Sequence, residues 1–259
     1  MPAPITDATL NCDCGEGFGP WELGADEELF EIVDIANLAC GFHGGDFDVM
    51  RKTVKLAKEK GVKLGAHPGL PDLQGFGRRV MHLPPDSFFN CILYQVGALS
   101  AYLRLHGLEY NHLKPHGQAY VMSSKDINLA RQSAKVAKLY NVPLVGLPGS
   151  AHQQAAEEEG VEFIPEFYAD LQYSNEGHLL PPISKSARTP ITGEQVYQRT
   201  RQMLETSSWQ SADGTTTCRF PEGTNKISIC VHGDFPGAVD VAQAVRRAID
   251  DVKKAAAAA

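Results

Sequence analysis

No stretch of the chain approaches the ~20 consecutive apolar residues that a helix needs to cross a bilayer, so no membrane span is expected. The opening residues, MPAPITDATLN, lack a basic patch followed by an apolar run, and no secretory signal is read there. Dense Lys/Arg stretches are absent too. The 31 acidic side chains outnumber the 24 basic ones, for a formal net charge of -7, which argues against a nucleic-acid partner because phosphates need clustered cations. The six cysteines are scattered rather than gathered into a framework. Cys12-Asp13-Cys14 has no second close pair to answer it, so it is not a zinc knuckle, and reduced thiols in a cytoplasmic protein are expected. Also missing are a G-x-x-x-x-G-K-[ST] phosphate loop, H-E-x-x-H, G-x-S-x-G and any activated-cysteine motif.

What is present is an ordinary globular composition, 43% hydrophobic and 21% charged over 259 residues, long enough for one large core. Short apolar segments alternate with longer amphipathic ones. The segments 8–13, 34–40, 63–67, 110–116, 143–147, 161–166 and 226–232 read as strands. Between them lie helical stripes at i, i+3, i+4, i+7 spacing: Val49, Met50, Thr53, Val54 and Ala57; Phe89, Ile92, Leu93, Val96, Leu99 and Leu103; Ile127, Ala130, Ala134 and Ala137; Ala238, Ala242, Val245 and Ile249. Gly61 and Gly107 sit where left-handed caps would close two of these helices. About seven strand–helix alternations mean parallel pairing, as an open doubly wound sheet or a closed TIM-type barrel. No linker divides residues 1–259, so a single domain is expected. The proline-rich segment 179–191 reads as a loop excursion, either a surface insertion or an active-site lid.

Nearly every candidate strand ends at or near an ionisable residue. Asp13 and Glu16 follow the first. Asn37, His43 and Asp46 follow the second, and His67 the third. Lys114 and His116 lie on the fourth, Glu166 and Asp170 at the sixth, His232 and Asp234 at the seventh. In parallel α/β folds these ends share one face, so the side chains converge on one pocket. Glycines crowd around them, as in Gly41-Phe42-His43-Gly44-Gly45 and Gly75-Phe76-Gly77, and permit close backbone approach. Gly15, Gly17 and Gly19 do not have Rossmann spacing. Asp46 precedes a clear helix and equally suits a cap. Arg78 and Arg79 suit an anion clamp or a solvated pair. Lys114, in an otherwise apolar segment, needs a partner if buried. Two chemistries fit this set. One is a hydrolytic metal site with Asp13, His43 and His67 as ligands. The other is metal-free acid–base work by carboxylates and histidines with Lys114 as electrostatic stabiliser.

These blocks resemble the LamB/YcsF family in order: Leu10-Asn11-Cys12-Asp13-Cys14-Gly15-Glu16; Ala36-Asn37-Leu38-Ala39-Cys40-Gly41-Phe42-His43-Gly44-Gly45-Asp46; Gly65-Ala66-His67-Pro68 with Gly75-Phe76-Gly77-Arg78-Arg79; Lys114-Pro115-His116-Gly117; Glu166 with Ala169-Asp170; and Cys230-Val231-His232-Gly233-Asp234. The resemblance implies a seven-stranded β/α barrel of the glycoside hydrolase/deacetylase type. It implies ATP-dependent opening of the lactam of 5-oxo-L-proline to L-glutamate, in a complex with B and C subunits that brings ATP to the reaction. Asp13, Glu16, Lys114, His116, Glu166, Asp170, His232 and Asp234 are then the expected catalytic set, and Asn37, Arg78 and Arg79 the substrate-binding set. A divalent metal on Asp13, His43 and His67 would instead mark a stand-alone deacetylase-like hydrolase. A third reading is a ligand-binding member without catalysis. The chain departs from the family pattern at Leu171 and Pro182, where arginines are expected.

Overall fold

The computed structural model describes residues 3–180, 191–235 and 237–258. In chain order the elements are β1 (Asp7–Cys14), α1 (Asp26–Leu29), β2 (Ile35–Ala39), α2 (Phe47–Lys60), β3 (Lys63–His67), α3 (Pro85–His106), α4 (Gly117–Ser123), α5 (Ile127–Leu139), β4 (Leu144–Gly146), α6 (Ala151–Glu159), β5 (Phe163–Tyr168), β6 (Gln172–Tyr173), β7 (Leu179–Leu180), α7 (Gly193–Thr206), β8 (Ser208–Gln210), β9 (Thr217–Arg219), β10 (Lys226–Val231) and α8 (Ala238–Ala257). Six strands form a parallel sheet in the order β3-β2-β1-β10-β5-β4. The crossover helices that parallel pairing demands cover its outer side.

The expected fourth strand, 110–116, is not a regular strand. Its contribution is Leu113, which bridges in parallel to Ala66 on β3 and to Leu144 on β4, the two edge strands. On one side Asn111 donates to Leu64, Ala66 to His112 and Lys114 to Ala66; on the other Leu113 donates to Pro143 and Val145 to Leu113. Pro115 has no N–H with which to extend either ladder. The sheet is thus a curled six-stranded one whose edges meet across a short irregular segment, and the seven regular strands read from the sequence reduce to six.

The helical stripes bury as their spacing requires. Met50, Thr53, Val54 and Ala57 of α2 are buried, as are Ile92, Val96, Leu99 and Leu103 of α3 and Ala242, Val245 and Ile249 of α8. Asp46 caps α2 by accepting from the Asp48 and Val49 amides, which satisfies two orphan donors of the first turn. Gly61 and Gly107 end α2 and α3 at φ of 72° and 67°. All six cysteines are free thiols. No described helix is long and apolar enough to cross a membrane. Of the segment 179–191, Leu179 and Leu180 pair with β6 as a two-stranded ribbon; residues 181–190, and Pro182 with them, lie outside the described residues.

Candidate active site

Inward positions recur at every second residue of a strand, so each strand carries a stack of side chains into the interior. β1 supplies Asn11 and Asp13, β5 supplies Glu166 and Tyr168, and β10 supplies Ser228 and Cys230, all buried. His112 and Lys114 arrive the same way from the bridging segment and are buried to about 1% exposure. The space left above them at the strand ends is lined by Asp13, His67, Arg78, Lys114, His116 and His232, with Tyr120, Tyr168, Leu171 and Leu179 as its less polar wall.

Lys114 anchors this interior. Its Nζ lies 2.8 Å from Glu166 Oε1 and 3.4 Å from Asp13 Oδ1. It also stands 3.1 Å from Cys230 Sγ and 5.0 Å from the centre of the Tyr168 ring. A lone ammonium at this depth would shed its proton. Burial does press its pKa down, but Asp13, Cys230 and Glu166 hold it well above the ordinary lysine value. Asp13 is the converse case. Burial would raise its carboxyl, yet His67 and Lys114 pull it well below the usual range. Asn37 donates to Asp13 Oδ1 at 2.8 Å and to Asn11 at 2.6 Å, and receives His112 Nε2–H at 2.6 Å. Asn37 therefore fixes Asp13 from beneath and does not line the cavity. Glu166 is likewise buried beneath it, held by Lys114 and by Asn11 at 3.0 Å.

His232 forms the opposite wall. Asp170 accepts its backbone N–H at 2.9 Å and its Nδ1–H at 3.0 Å. That bond leaves Nε2 as the basic nitrogen, 3.8 Å from Asp13 Oδ2. A carboxylate that fixes the tautomer of a cavity-facing imidazole is the arrangement a general acid–base needs. Asp234 pairs with Arg78 at 3.1 Å, so Arg78 faces the cavity from a fixed position. Its neighbour Arg79 is 63% exposed, forms an ion pair with Asp72 and does not line the cavity.

A second cluster adjoins the first. Glu16, His43, His67 and His116 are all buried, with ligand-type atoms close enough together that the group could hold a metal ion. His43 Nε2 lies 3.2 Å from Glu16 Oε1. Burial, with Asp13 and Asp234 near, pushes the Glu16 carboxyl well above its usual value. Burial followed by neighbouring imidazoles pushes His43 and His116 well below theirs, so neither ring readily takes a proton. Glycine permits the crowding. A Cβ on Gly77, at φ of 65°, would fall 2.8 Å from His116 and His43, and one on Gly65 would fall 2.2 Å from His112 Nε2. Of the trio Asp13, His43 and His67 read from the sequence, Asp13 Oδ1 lies 3.4 Å from His67 Nε2. His43 and His67 join Glu16 and His116, while Asp13 groups with Cys230 and His232.

Asn11, His112, Tyr120 and Tyr168 do not stand out in the sequence. Asn11 and His112 lie two residues before Asp13 and Lys114, and Tyr168 lies two before Asp170. Extending each strand-end residue inward by the two-residue period finds the first two.

A match to the LamB/YcsF family covers residues 8–259. The chain is 41% identical over 253 residues to the lactam utilization protein LamB of Emericella nidulans, covering 97% of this chain and 98% of that one. It is 41% identical over 244 residues to the A subunit of 5-oxoprolinase from Natranaerobius thermophilus, covering 93% of each. Among solved structures it resembles the lactam utilization protein of Thermus thermophilus, with a TM-score of 0.84 and 38% identity over 95% of this chain and 96% of that one.

Proposed function

The chain belongs to the LamB/YcsF family, and from that premise we propose that it opens the lactam of 5-oxo-L-proline to L-glutamate as the A-type component of a 5-oxoprolinase. On this reading it is one catalytic unit, a β/α barrel whose fourth position is the Leu113 segment, and it acts with B and C subunits in the cytoplasm. Relatives named as the A subunit of 5-oxoprolinase support the partner requirement.

ATP would supply activation of the lactam oxygen, because a five-membered lactam is a stabilised amide. The chain has no G-x-x-x-x-G-K-[ST] phosphate loop, and on this reading the partner subunits bring ATP to the reaction; no residue here is assigned to the nucleotide.

The residues of this chain suit the hydrolytic half of the reaction. Arg78, held by Asp234, is the cation placed to meet the substrate carboxylate. Asp13 is kept ionised by its neighbours and orients water at the lactam carbon. His232 takes the proton of that water on Nε2 and returns it to the ring nitrogen as the C–N bond breaks, while Asp170 steadies the imidazolium; the phosphoryl group that ATP placed on the oxygen then leaves as phosphate with a second water, giving L-glutamate. Lys114 offsets negative charge as it develops on oxygen. The observation that carries this reading is the Asp170–His232–Asp13 series at the cavity wall.

The test is 5-oxoproline-dependent ATP hydrolysis and glutamate release, measured on the chain with and without B and C subunits. Turnover in the complex that is lost in Asp13→Asn and His232→Ala is the expected result. No turnover after both partners are supplied overturns the reading in favour of a non-catalytic ligand-binding member.

A further inference from the structure

The hydrogen-bonding roles of two imidazoles follow from their backbone partners. His67 Nδ1 lies 2.8 Å from the Lys114 carbonyl oxygen, and His116 Nε2 lies 2.8 Å from that of Phe76. A carbonyl oxygen only accepts, so both of these nitrogens carry hydrogen. In the neutral rings the remaining nitrogens, His67 Nε2 and His116 Nδ1, are bare lone pairs that face each other at 3.0 Å, with the Asp13 carboxylate a further 3.4 Å from His67 Nε2. Glu16 Oε1 approaches the same point, 3.5 Å from His116 Nδ1. Three electron-pair donors thus converge in a buried space, an arrangement that a positive centre must reconcile.

We propose that Glu16, His67 and His116 form a binding site for one divalent transition-metal ion of the zinc class. Zinc bonds to nitrogen and oxygen are about 2.0–2.1 Å long, so the ligand atoms of a tetrahedral site stand about 3.3 Å apart. The two separations above, 3.0 and 3.5 Å, straddle that value. Two imidazoles and one carboxylate are also a donor set that suits zinc. His43 is placed differently. Its ring lies parallel to that of His116, with centroids 3.6 Å apart and 3° between planes. Two stacked rings cannot both aim in-plane lone pairs at one ion, so His43 is a positioning residue that stacks on His116 and donates Nε2–H to Glu16 at 3.2 Å. Three protein ligands leave a coordination position for water or a substrate oxygen, and His67 and His116 line the cavity beside Asp13. The site stands on this geometry and is independent of which amide the protein opens.

The test is metal binding without substrate. The full chain is stripped with chelator and titrated with Zn²⁺ by calorimetry and with Co²⁺ by absorption. One ion per chain is expected, with cobalt bands of a four- or five-coordinate nitrogen and oxygen site. Glu16→Gln and His116→Ala, checked for folding by circular dichroism, should weaken binding by about 10–100-fold or more. His82→Ala should not. Glu16→Gln preserves shape and so serves if His116→Ala fails to fold. The proposal is overturned if neither ion binds saturably, if binding survives both ligand variants, or if His82→Ala weakens it as Glu16→Gln does. An imidazolium at His67 in nitrogen NMR, with no metal uptake, would assign the positive centre to a proton instead. Because no turnover is read, failure of the lactam assay leaves the result intact.

Discussion

Replacing Lys114 by Met keeps most of the side-chain volume and removes the charge from the interior. At an effective dielectric of about 20, the ammonium gains roughly 6 kcal/mol from Glu166 at 2.8 Å and roughly 5 kcal/mol from Asp13 at 3.4 Å. Desolvation of the three groups consumes much of this, and breaking such a buried pair costs about 3–5 kcal/mol in practice. The orphaned carboxylates have a way out, which is to bind protons. That costs less as pH falls. Lys114→Met should therefore lose about 3–5 kcal/mol at pH 7 and less at pH 5. Urea denaturation of the two proteins at both pH values is the assay. Lys114→Met/Glu166→Gln should recover at least about 1 kcal/mol at pH 7, since one stranded charge is gone. The wild-type baseline itself shifts across this window through Asp26, so each loss is taken against wild type at the same pH. The folded pKa of Asp13 is depressed, so its contribution is present above about pH 4 and is lost only as pH falls through the lower folded value. Equal losses at pH 5 and pH 7, or a double variant no better than the single, would refute the charge argument and leave packing as the cause.

Asp170→Asn should lower kcat of the assembled enzyme by about 100-fold or more while KM changes little, because His232 loses the partner that sets its tautomer; unchanged steady-state kinetics would remove His232 from the chemistry. Burial raises the Asp26 carboxyl to about 6. The stability this confers is full below about pH 4 and is lost as pH rises through about 6, so Asp26→Asn, which retains an oxygen to accept the Gly15 amide, should flatten a fall of about 2–3 kcal/mol in pH-dependent melts; an identical pH profile would contradict this. Gly65→Ala drives a Cβ into His112 and should cost about 1–3 kcal/mol together with activity. Gly61→Ala meets open space at φ of 72°, so it should cost about 1–2 kcal/mol and spare activity.

Much of this architecture is legible because strand periodicity and strand-end chemistry are local. The six strands lie where alternation and length place them, and Asp13, His67, Lys114, His116 and His232 meet because parallel strands share one end. The segment 110–116 is harder to read. Its apolar content matches a strand, but ladder extension depends on neighbours and on the missing N–H of Pro115. Arg78 and Arg79 are adjacent and chemically identical, and the turn from Gly75 sends one toward Asp234 and the other toward Asp72. The grouping of Glu16 and His116 with His43 and His67 is purely tertiary, since it depends on how closely Gly69 and Gly77 let the imidazoles pack.

The number of elements that hold Asp13 has a mechanistic consequence. Asn37 reaches it from β2 and Lys114 from the bridging segment, and Asn37 is itself fixed by His112 and Asn11. A carboxylate bound by one partner moves when that partner moves; one bound from two elements, each itself held, moves only if the sheet deforms. Burial of this network is costly, and apolar side chains of equal volume would serve stability as well or better. What apolar packing cannot supply is an ionised carboxylate with a fixed direction at the cavity floor, which is the condition for orienting water without reorganisation during the reaction. Substitutions among Asn37, Lys114 and Asp13 should therefore be non-additive. Once Asp13→Asn has removed the charge, Asn37→Ala should cost activity little further, although each alone is damaging. A double-mutant cycle on kcat that returned the simple sum of the two losses would mean that Asn37 acts on the reaction by a route other than Asp13.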